Sequence, residues 1–292
     1  MPAKDFFEPV SHHTSPPVYN YYDGHAWSAS VSKKTIPVVS PVDQSTLGLI
    51  QKVTPDEIDE AFSRARIAQK KWMNVPIIER AKKLHLAADW LRHFQDRLAV
   101  HLVKEIGKPH NESLDEIARS ADMIEYFANE SLTLRGEQLP ADAFPGYDQS
   151  RVGFIERIPV GVVLAIAPFN YPVNLSVSKI APALVMGNAV VFKPPTNGAI
   201  SALHMVHAFV RAGIPEDVLV CVTGEGEEIG DHLVTHPDVS MITFTGSSVT
   251  GQSIAKKAGM IPLLFECGGN NPALVLDDSD LNTTATEIIK GA

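Results

Sequence analysis

Residues 241–251 read Met-Ile-Thr-Phe-Thr-Gly-Ser-Ser-Val-Thr-Gly, which predicts a strand, a tight turn and the start of a helix. The first amide groups of a helix have no partner within it, and the helix dipole favours an anion at that end. Gly246 lets a ligand approach the backbone closely, because glycine has no Cβ atom. Ser247 and Ser248 can cap the helix or donate to a phosphate oxygen. An ordinary capped helix in an α/β protein is the alternative that this stretch leaves open.

Strand and helix patterns alternate around this stretch. Apolar runs predict five strands, at 162–166, 189–192, 218–222, 241–244 and 262–265. The segments between them have helical periodicity, and the first two end at a glycine. This alternation predicts an α/β fold, a Rossmann-like parallel sheet with helices on both faces. Ligands bind at the carboxyl ends of the strands in such a sheet.

The sequence before this core predicts an irregular arm over 1–35 that becomes a short strand pair, then a hairpin and four helices. The hairpin strands are expected at 35–39 and 46–53, and the Thr-Pro-Asp-Glu that follows is a helix start with a capping box. The helices then carry apolar stripes typical of core faces. His12 and His13 are adjacent in the arm, but no acidic residue or cysteine follows at a spacing typical of metal ligands. A solvated arm is therefore expected, and no metal site.

Glycines and prolines interrupt the helical pattern from 133 to 158, and residues 151–158 then alternate like an exposed strand. A two-stranded β-ribbon that protrudes from the globule accounts for both features. Exposed strand edges usually pair with another chain or are protected. The ribbon is therefore a candidate oligomerisation element, and a homo-oligomer is expected.

The composition limits the classes of partner. The chain is 45% hydrophobic and 20% charged, with a net charge of -9, which argues against a nucleic-acid or acidic-membrane partner. The N-terminal residues lack the apolar segment of a secretory signal, and no apolar run has the length of a bilayer span. Cys221 and Cys267, both in apolar sequence, are the only cysteines. No disulfide framework is expected, and a cytoplasmic location fits.

Polar residues follow the first two predicted strands of the core. Asn170 lies between two prolines, where a rigid amide donor can stabilise an oxyanion or equally cap the turn. Lys193 can contact a phosphate or a ribose hydroxyl. Thr196 is neutral at a place where an acidic residue would bind a ribose diol and repel a 2′-phosphate. A plain proline-rich loop is the alternative for Lys193 and Thr196.

The last predicted strand ends at Glu266, and Cys267 and two glycines follow it. A carboxylate at a strand end can be a general base in a cleft, while an exposed strand-end glutamate is the alternative. Adjacent strand residues point to opposite faces, so Cys267 is expected to face away from Glu266 and not to be a nucleophile. Residues 246–253 also approach a P-loop, but Gln252 replaces the lysine that reaches the terminal phosphates. Nucleotide hydrolysis is therefore disfavoured.

Five motifs occur together in an order and spacing that resemble the aldehyde dehydrogenase family: APFNYP (167–172), KPPT (193–196), TGEGEEIG (223–230), FTGSSVTG (244–251) and FECGGN (265–270). The resemblance extends from about Val39 to Ala292. Within the family, the motifs are most similar to those of non-phosphorylating, NADP-dependent members that oxidise glyceraldehyde 3-phosphate. The implied parent activity is the oxidation of an aldehyde substrate to a carboxylic acid with NADP, or with NAD.

The resemblance also implies a role for each candidate residue. Asn170 would help to form the oxyanion hole, and Glu266 would activate the water that hydrolyses a thioester. Arg119 and Tyr171 would hold the substrate, with Arg119 at its phosphate, although its neighbours in sequence alone indicate a surface arginine. Lys193 and Thr196 would hold the adenosine ribose and its 2′-phosphate. The residues implied along the cofactor are Ala167, Lys193, Thr196, Gly226, Asp231, Phe244, Gly246 and Ser247.

The sequence departs from the family pattern in two ways. Cys267 and Asn270 replace the Leu and Lys of the usual E-L-G-G-K, for which packing consequences are expected, not lost chemistry. The family's nucleophilic cysteine would lie a few residues beyond Ala292. Residues 1–266 are thus expected to form a cofactor-binding domain and 267–292 to begin a catalytic domain, and the chain alone is expected to be inactive. The alternatives are a non-catalytic dinucleotide-binding or assembly module, or another NAD(P)-dependent aldehyde dehydrogenase such as a semialdehyde dehydrogenase.

Overall fold

The computed structural model describes the backbone of residues 11–12 and 15–291. Much of the arm predicted at the N-terminus, including His13 and the side chain of His12, lies outside the described residues. The strands are β1 (Ser11–His12), β2 (Val18–Tyr19), β3 (Tyr21–Tyr22), β4 (Trp27–Ser28), β5 (Thr35–Val39), β6 (Thr46–Gln51), β7 (Glu137–Pro140), β8 (Val152–Ile155), β9 (Val162–Ile166), β10 (Ala189–Lys193), β11 (Leu219–Cys221), β12 (Met241–Thr245) and β13 (Leu263–Glu266).

Eight of the nine α-helices in the described part of the chain lie close to their predicted positions, and the last one was not predicted. They are α1 (Pro55–Trp72), α2 (Ile77–His93), α3 (Gln95–Ile106), α4 (His110–Ser131), α5 (Asn174–Val185), α6 (Ala199–Arg211), α7 (Gly226–Thr235), α8 (Ser248–Lys257) and α9 (Leu281–Gly291). The capping box predicted for α1 is present, with the Thr54 hydroxyl accepting from the Glu57 amide. Within the described part of the chain, none of these helices is both long and apolar enough to cross a bilayer.

A seven-stranded sheet with the order β13-β12-β9-β10-β11-β3-β4 forms the centre of the molecule. The five strands from β9 to β13 are parallel, which confirms the predicted sheet. Strands β3 and β4 form the short strand pair predicted at the end of the N-terminal arm, and they extend the sheet in the antiparallel direction. Their place in this sheet was not predicted, because strands of two residues are too short to show a periodicity that indicates their partners.

Helices cover both faces of this sheet. In β9, Val163 and Ala165 face the hydrophobic cluster built from α2 to α6, whereas Val162 and Leu164 face the cluster built from α1, α7 and α8. Successive side chains of a strand point to opposite faces, so a strand that is apolar throughout must be covered twice. The predicted two-sided arrangement is therefore confirmed.

The order of the strands brings four strand ends together. The chain runs from β9 outward to β11 on one side, and β12 and β13 then continue on the other side of β9. Ile166, the last residue of β9, pairs in register with Lys193 of β10 and Phe244 of β12, and Thr245 pairs with Glu266 of β13. Neighbouring strands lie about 4.8 Å apart. The carboxyl ends of these strands thus form one continuous edge.

Buried glutamates occupy the starts of α5 and α6. Glu116 of α4 accepts from the amides of Val173 and Asn174, at 2.9 and 3.2 Å, and is ion-paired with Lys108. Glu105 of α3 accepts from the amides that open α6, at 2.6 and 2.9 Å, and from a serine hydroxyl at 2.7 Å. A carboxyl group therefore already occupies the N-terminus of both helices on this face of the sheet.

Burial raises the pKa of Glu105 to about 7, although hydrogen bonds from Ser201 and Ile200 act in the opposite direction. The carboxyl group of an unfolded chain titrates near pH 4.3, so the folded protein binds this proton more tightly. The stability that Glu105 contributes therefore falls as the pH rises from about 4 to about 7. The measurement is denaturant unfolding of the unmodified protein and of Glu105→Gln at several pH values. The difference between their free energies of unfolding should fall by about 2–3 kcal/mol, to the disadvantage of the unmodified protein, between about pH 5 and about pH 8. A pH-independent difference would contradict this account.

The β-ribbon is formed by β7 and β8, which pair antiparallel from Glu137↔Ile155 to Pro140↔Val152. All eight strand residues are exposed. Phe154 is 74% exposed, and Ile158, just beyond the ribbon, is 76% exposed. The two-stranded ribbon predicted within 133–158 is confirmed, with shorter strands than the sequence suggested.

Candidate functional site

A cleft of about 600 Å³ opens at the carboxyl edge of the sheet, between α7 and α8. Its floor is formed by Ile166, Lys193 and Phe244, from the ends of three adjacent strands. The walls come from one side of each helix, with Gly226, Glu227, Gly230, Asp231 and Val234 from α7 and Val249, Thr250, Ser253, Ile254 and Lys257 from α8. The structure thus brings together four of the predicted cofactor-binding residues, namely Lys193, Gly226, Asp231 and Phe244.

The turn before α8 has the predicted form. Ser247 is the N-cap, and its hydroxyl accepts from the Thr250 amide at 3.1 Å. A Cβ atom at Gly246 would lie 2.5 Å from the Phe244 ring, so any larger residue would displace this floor residue. The Gly246 amide donates to the Glu266 carbonyl at 3.1 Å. The turn at the mouth of the cleft is therefore fixed by local contacts.

Lys193 places a buried ammonium group at the floor of the cleft. Its Nζ atom donates to the Pro194 carbonyl at 3.0 Å. Burial lowers the pKa of Lys193 to about 8, and the nearby Cys221 acts weakly in the opposite direction. A buried cation that lines an open cleft is a site for an anionic ligand.

Ala167 and Thr196 continue from the floor strands. Ala167 is buried directly after β9, and Thr196 is half-buried in the loop between Lys193 and α6. Both therefore lie at the same edge of the sheet as the cleft.

On the other face of the sheet, a polar cluster surrounds the end of β13. Lys179 of α5 is buried, and its Nζ atom donates to the Thr245 hydroxyl at 2.6 Å. Burial lowers the pKa of Lys179 to about 8, while the charge of Glu266 acts in the opposite direction. Lys179 was not among the residues predicted from the sequence. The feature that could have indicated Lys179 is its charge on an otherwise apolar helix. A lone charge of this kind seldom lies inside a protein without a specific partner.

Cys267 lies on the opposite face from Lys179. A Cβ atom at Gly251 of α8 would be 2.8 Å from the Cys267 sulfur, which places the thiol against α8. The expectation that Cys267 faces away from Glu266 is therefore confirmed. Neither Cys267 nor the buried Cys221 is in a disulfide.

The turn from 167 to 173 carries Asn170 and Tyr171, which are both exposed. The Lys108 ammonium group lies 3.4 Å from the centre of the Tyr171 ring, in a cation–π contact. Glu116 forms an ion pair with Lys108 and accepts a hydrogen bond from the Val173 amide, two residues after Tyr171. Neither Lys108 nor Glu116 was predicted from the sequence, although Glu116 falls on the buried stripe of α4.

Arg119 follows Glu116 by one helical turn and lies at the same end of α5. It is exposed and ion-paired with Asp115 at 3.4 Å. The next residue, Ser120, contacts Asn174 at 3.4 Å, which brings this part of α4 close to the 167–173 turn. The segment of α4 that carries Arg119 therefore packs near this turn, while the Arg119 side chain itself contacts Asp115.

The chemistry of the cleft fits a phosphorylated dinucleotide. Val234, Val249 and Ile254 give apolar walls for a flat ring, and Lys193 gives a cation. The first turn of α8 has no acidic residue, whereas α7 carries Glu227 and Glu228 in its first turn, so α8 offers the N-terminus that favours an anion. Within residues 15–291, no three His, Cys, Asp or Glu side chains are grouped to hold a metal ion. The cleft therefore suits an anion-bearing organic ligand.

Comparisons with known proteins agree with this geometry. The model of the aldehyde dehydrogenase family matches residues 27–292. The NADP-dependent glyceraldehyde-3-phosphate dehydrogenases of Triticum aestivum and Arabidopsis thaliana are 48% and 49% identical to the chain over 276 residues, which is 94% of the chain and 55% of each relative. The chain thus spans about half the length of the curated relatives it matches.

A solved structure gives the same result. The crystal structure of NADP-dependent glyceraldehyde-3-phosphate dehydrogenase from Bacillus halodurans C-125, complexed with NADP, is 45% identical in sequence. It superposes with a TM-score of 0.91 over 93% of this chain and 57% of that one.

Proposed function

The chain belongs to the aldehyde dehydrogenase family, and from that membership we propose that it forms the cofactor-binding part of an enzyme that oxidises an aldehyde with NADP. The proposed substrate is glyceraldehyde 3-phosphate and the product is its carboxylic acid. The observation that carries the proposal is the cleft between α7 and α8, with the buried cation Lys193 at its floor. The names of the relatives and the NADP in the Bacillus structure support the choice of cofactor and substrate.

We assign the phosphate groups of NADP to the start of α8, among the helices that follow the parallel strands. Glu105 and Glu116 fill the N-termini of α6 and α5, and α7 carries Glu227 and Glu228 in its first turn, whereas the first turn of α8 has no acidic residue. Gly246 and Ser247 would meet the pyrophosphate at the start of α8. Lys193 and Thr196 would hold the ribose and its 2′-phosphate, with Ala167, Gly226, Asp231 and Phe244 along the rest of the molecule.

The reacting groups are proposed to lie at the Asn170 and Glu266 end of the edge. NADP, when bound, accepts a hydride from the substrate carbon. The Asn170 amide donates to the substrate oxygen that gains negative charge. Glu266 takes a proton from the water that releases the acid, and Lys179 lies close enough to stabilise its carboxylate.

The attacking thiolate is proposed to come from outside these 292 residues. Cys221 is fully buried, and burial raises the pKa of its thiol. Cys267 lies against α8, away from Glu266. Because a nucleophilic cysteine needs an accessible thiolate beside the substrate, neither residue fits the role.

The substrate phosphate is assigned to Arg119, and Tyr171 would border the substrate beside it. The ion pair of Arg119 with Asp115 is exposed and long, at 3.4 Å, so a phosphate dianion can replace it. The Lys108–Glu116 pair would position the Tyr171 ring.

Titration of the chain with NADP tests the proposal. Saturable binding to one site is expected by isothermal calorimetry, and its absence would leave only a structural role. The assignment of the nucleophile has a separate test. Turnover of an aldehyde with NADP by these 292 residues, abolished by Glu266→Ala, would refute it.

Thr196→Glu is expected to weaken the binding of NADP about tenfold more than the binding of NAD. The new carboxylate would repel the 2′-phosphate, which NAD lacks. Thr196→Gln, of the same size without the charge, is the matched control and should leave the ratio of the two dissociation constants nearly unchanged. Equal effects of both variants on that ratio would mean that Thr196 is not close to the 2′-phosphate.

We further propose that residues 267–292 begin the catalytic domain and that the ribbon is an oligomer contact. The assignment of residues 267–292 is supported by α9, which has no buried residue and exposes Leu281 and Ile289.

The assignment of the ribbon as an oligomer contact is supported by its exposed aromatic and aliphatic side chains. Sedimentation of the chain with and without Phe154→Lys tests it. A cytoplasmic location is proposed from the free thiols of Cys221 and Cys267.

A further inference from the structure

We propose that Lys257 determines the preference for NADP over NAD, because it neutralises a carboxylate that would otherwise repel the additional phosphate. The inference rests on the proposed function, since it concerns the same cleft. It adds a residue that neither the sequence motifs nor their spacing indicated.

Lys257 is the last residue of α8, and its Nζ atom lies 2.6 Å from Oδ1 of Asp231 on α7. Both residues line the cleft. The Lys257 side chain is 40% exposed and that of Asp231 is 73% exposed, so the pair lies at the rim. The contact joins the two helices that form the cleft walls.

The charges of the cleft lining balance only when Lys257 is counted. Two carboxylates, of Glu227 and Asp231, and two ammonium groups, of Lys193 and Lys257, line it. The neighbouring Glu228 is not counted among these charges, because it does not line the cleft and is ion-paired with Lys52. Without Lys257 the cleft would carry an excess negative charge. A phosphate monoester brings a charge of about -1.5 to -2 at neutral pH, so that excess acts most strongly against NADP.

Lys193 cannot supply this compensation alone. Its ammonium group is buried and already donates to the Pro194 carbonyl, so it acts at the floor of the cleft. Asp231 projects from α7 at the rim, and the nearest cation to it is Lys257. The pair therefore sets the charge that a ligand meets as it enters.

The test measures the dissociation constants of NADP and NAD for the unmodified chain and three variants by calorimetry at low salt. Lys257→Met should lower the preference for NADP about three- to tenfold, because it leaves Asp231 uncompensated. Asp231→Asn should raise that preference by a similar factor, because it leaves Lys257 uncompensated. Lys256→Met is the matched control, since Lys256 is an exposed neighbour outside the cleft lining, and it should change the preference less than twofold.

High salt should shrink both shifts, since the pair lies at the rim where ions screen it. A preference unchanged by Lys257→Met, or lowered by Asp231→Asn, would overturn the inference while leaving the proposed function in place. Failure of the unmodified chain to bind either dinucleotide would instead overturn the proposed function. Circular dichroism of each variant shows whether it is folded before binding is compared.

Discussion

Replacing Lys193 with methionine is expected to raise the dissociation constant for NADP about 10- to 100-fold. A hydrogen bond from a charged group contributes about 1.5–3 kcal/mol, and each 1.4 kcal/mol corresponds to a factor of ten. Methionine fills a similar volume without the charge, so the loss would report on the cation itself. Because a buried cation is costly, the variant should be at least as stable as the unmodified protein.

The pH dependence of binding gives this prediction a second measurement. The pKa of Lys193 is lowered to about 8 by burial, and only the protonated form attracts a phosphate. Affinity for NADP should therefore be constant below about pH 8 and fall as the pH rises above it, since a bound anion raises the pKa of its partner. Lys193→Met should lack that fall. A dissociation constant within twofold of the unmodified protein, with the same pH profile, would place NADP elsewhere.

Glu116→Ala is expected to lower the free energy of unfolding by about 3–5 kcal/mol. The carboxylate is fully buried, ion-paired with Lys108, and accepts from the amides of Val173 and Asn174. Removing one member of a buried pair leaves the other charge without compensation, and here two amides lose their acceptor as well. The measurement is the shift of the denaturant midpoint.

Asp115→Ala is the control for this variant. Asp115 precedes Glu116 but is exposed, and its ion pair is with the exposed Arg119. Its loss should change stability by about 0.5 kcal/mol or less. Similar losses from the two variants would mean that the buried network does not stabilise the fold.

Much of the fold could be predicted because its elements are regular and locally encoded. The five parallel strands are continuous apolar runs, and glycines follow α5 and mark the turn before α8. Lys193 and the turn at Gly246 could be predicted for the same reason, because they lie at strand ends and parallel strands end at one edge. Gly226, Asp231 and Phe244 were indicated only by the resemblance to the family. A short strand pair was predicted within residues 1–35, but its place in the main sheet was not, since β3 and β4 are held by pairing with β11 and with each other, not by a pattern of their own.

The charged residues that support the site were missed for a different reason. Glu116 contacts Val173, 57 positions later, and Lys179 contacts Thr245, 66 positions later. Neither pair has a sequence spacing that indicates contact, because the packing of α4 and α5 against the sheet creates it. Lys257 belongs to the same class, since only the side-by-side arrangement of α7 and α8 shows that it meets Asp231.

The hydrogen bond from the Gly246 amide to the Glu266 carbonyl, at 3.1 Å, has a mechanical consequence. Gly246 belongs to the turn that would contact the pyrophosphate. Glu266 is the proposed general base that would take a proton from water. Because this hydrogen bond joins the two backbones, a bound dinucleotide that displaces the turn would also displace the backbone of Glu266. Binding of the cofactor would thereby reposition the general base without the movement of a separate loop.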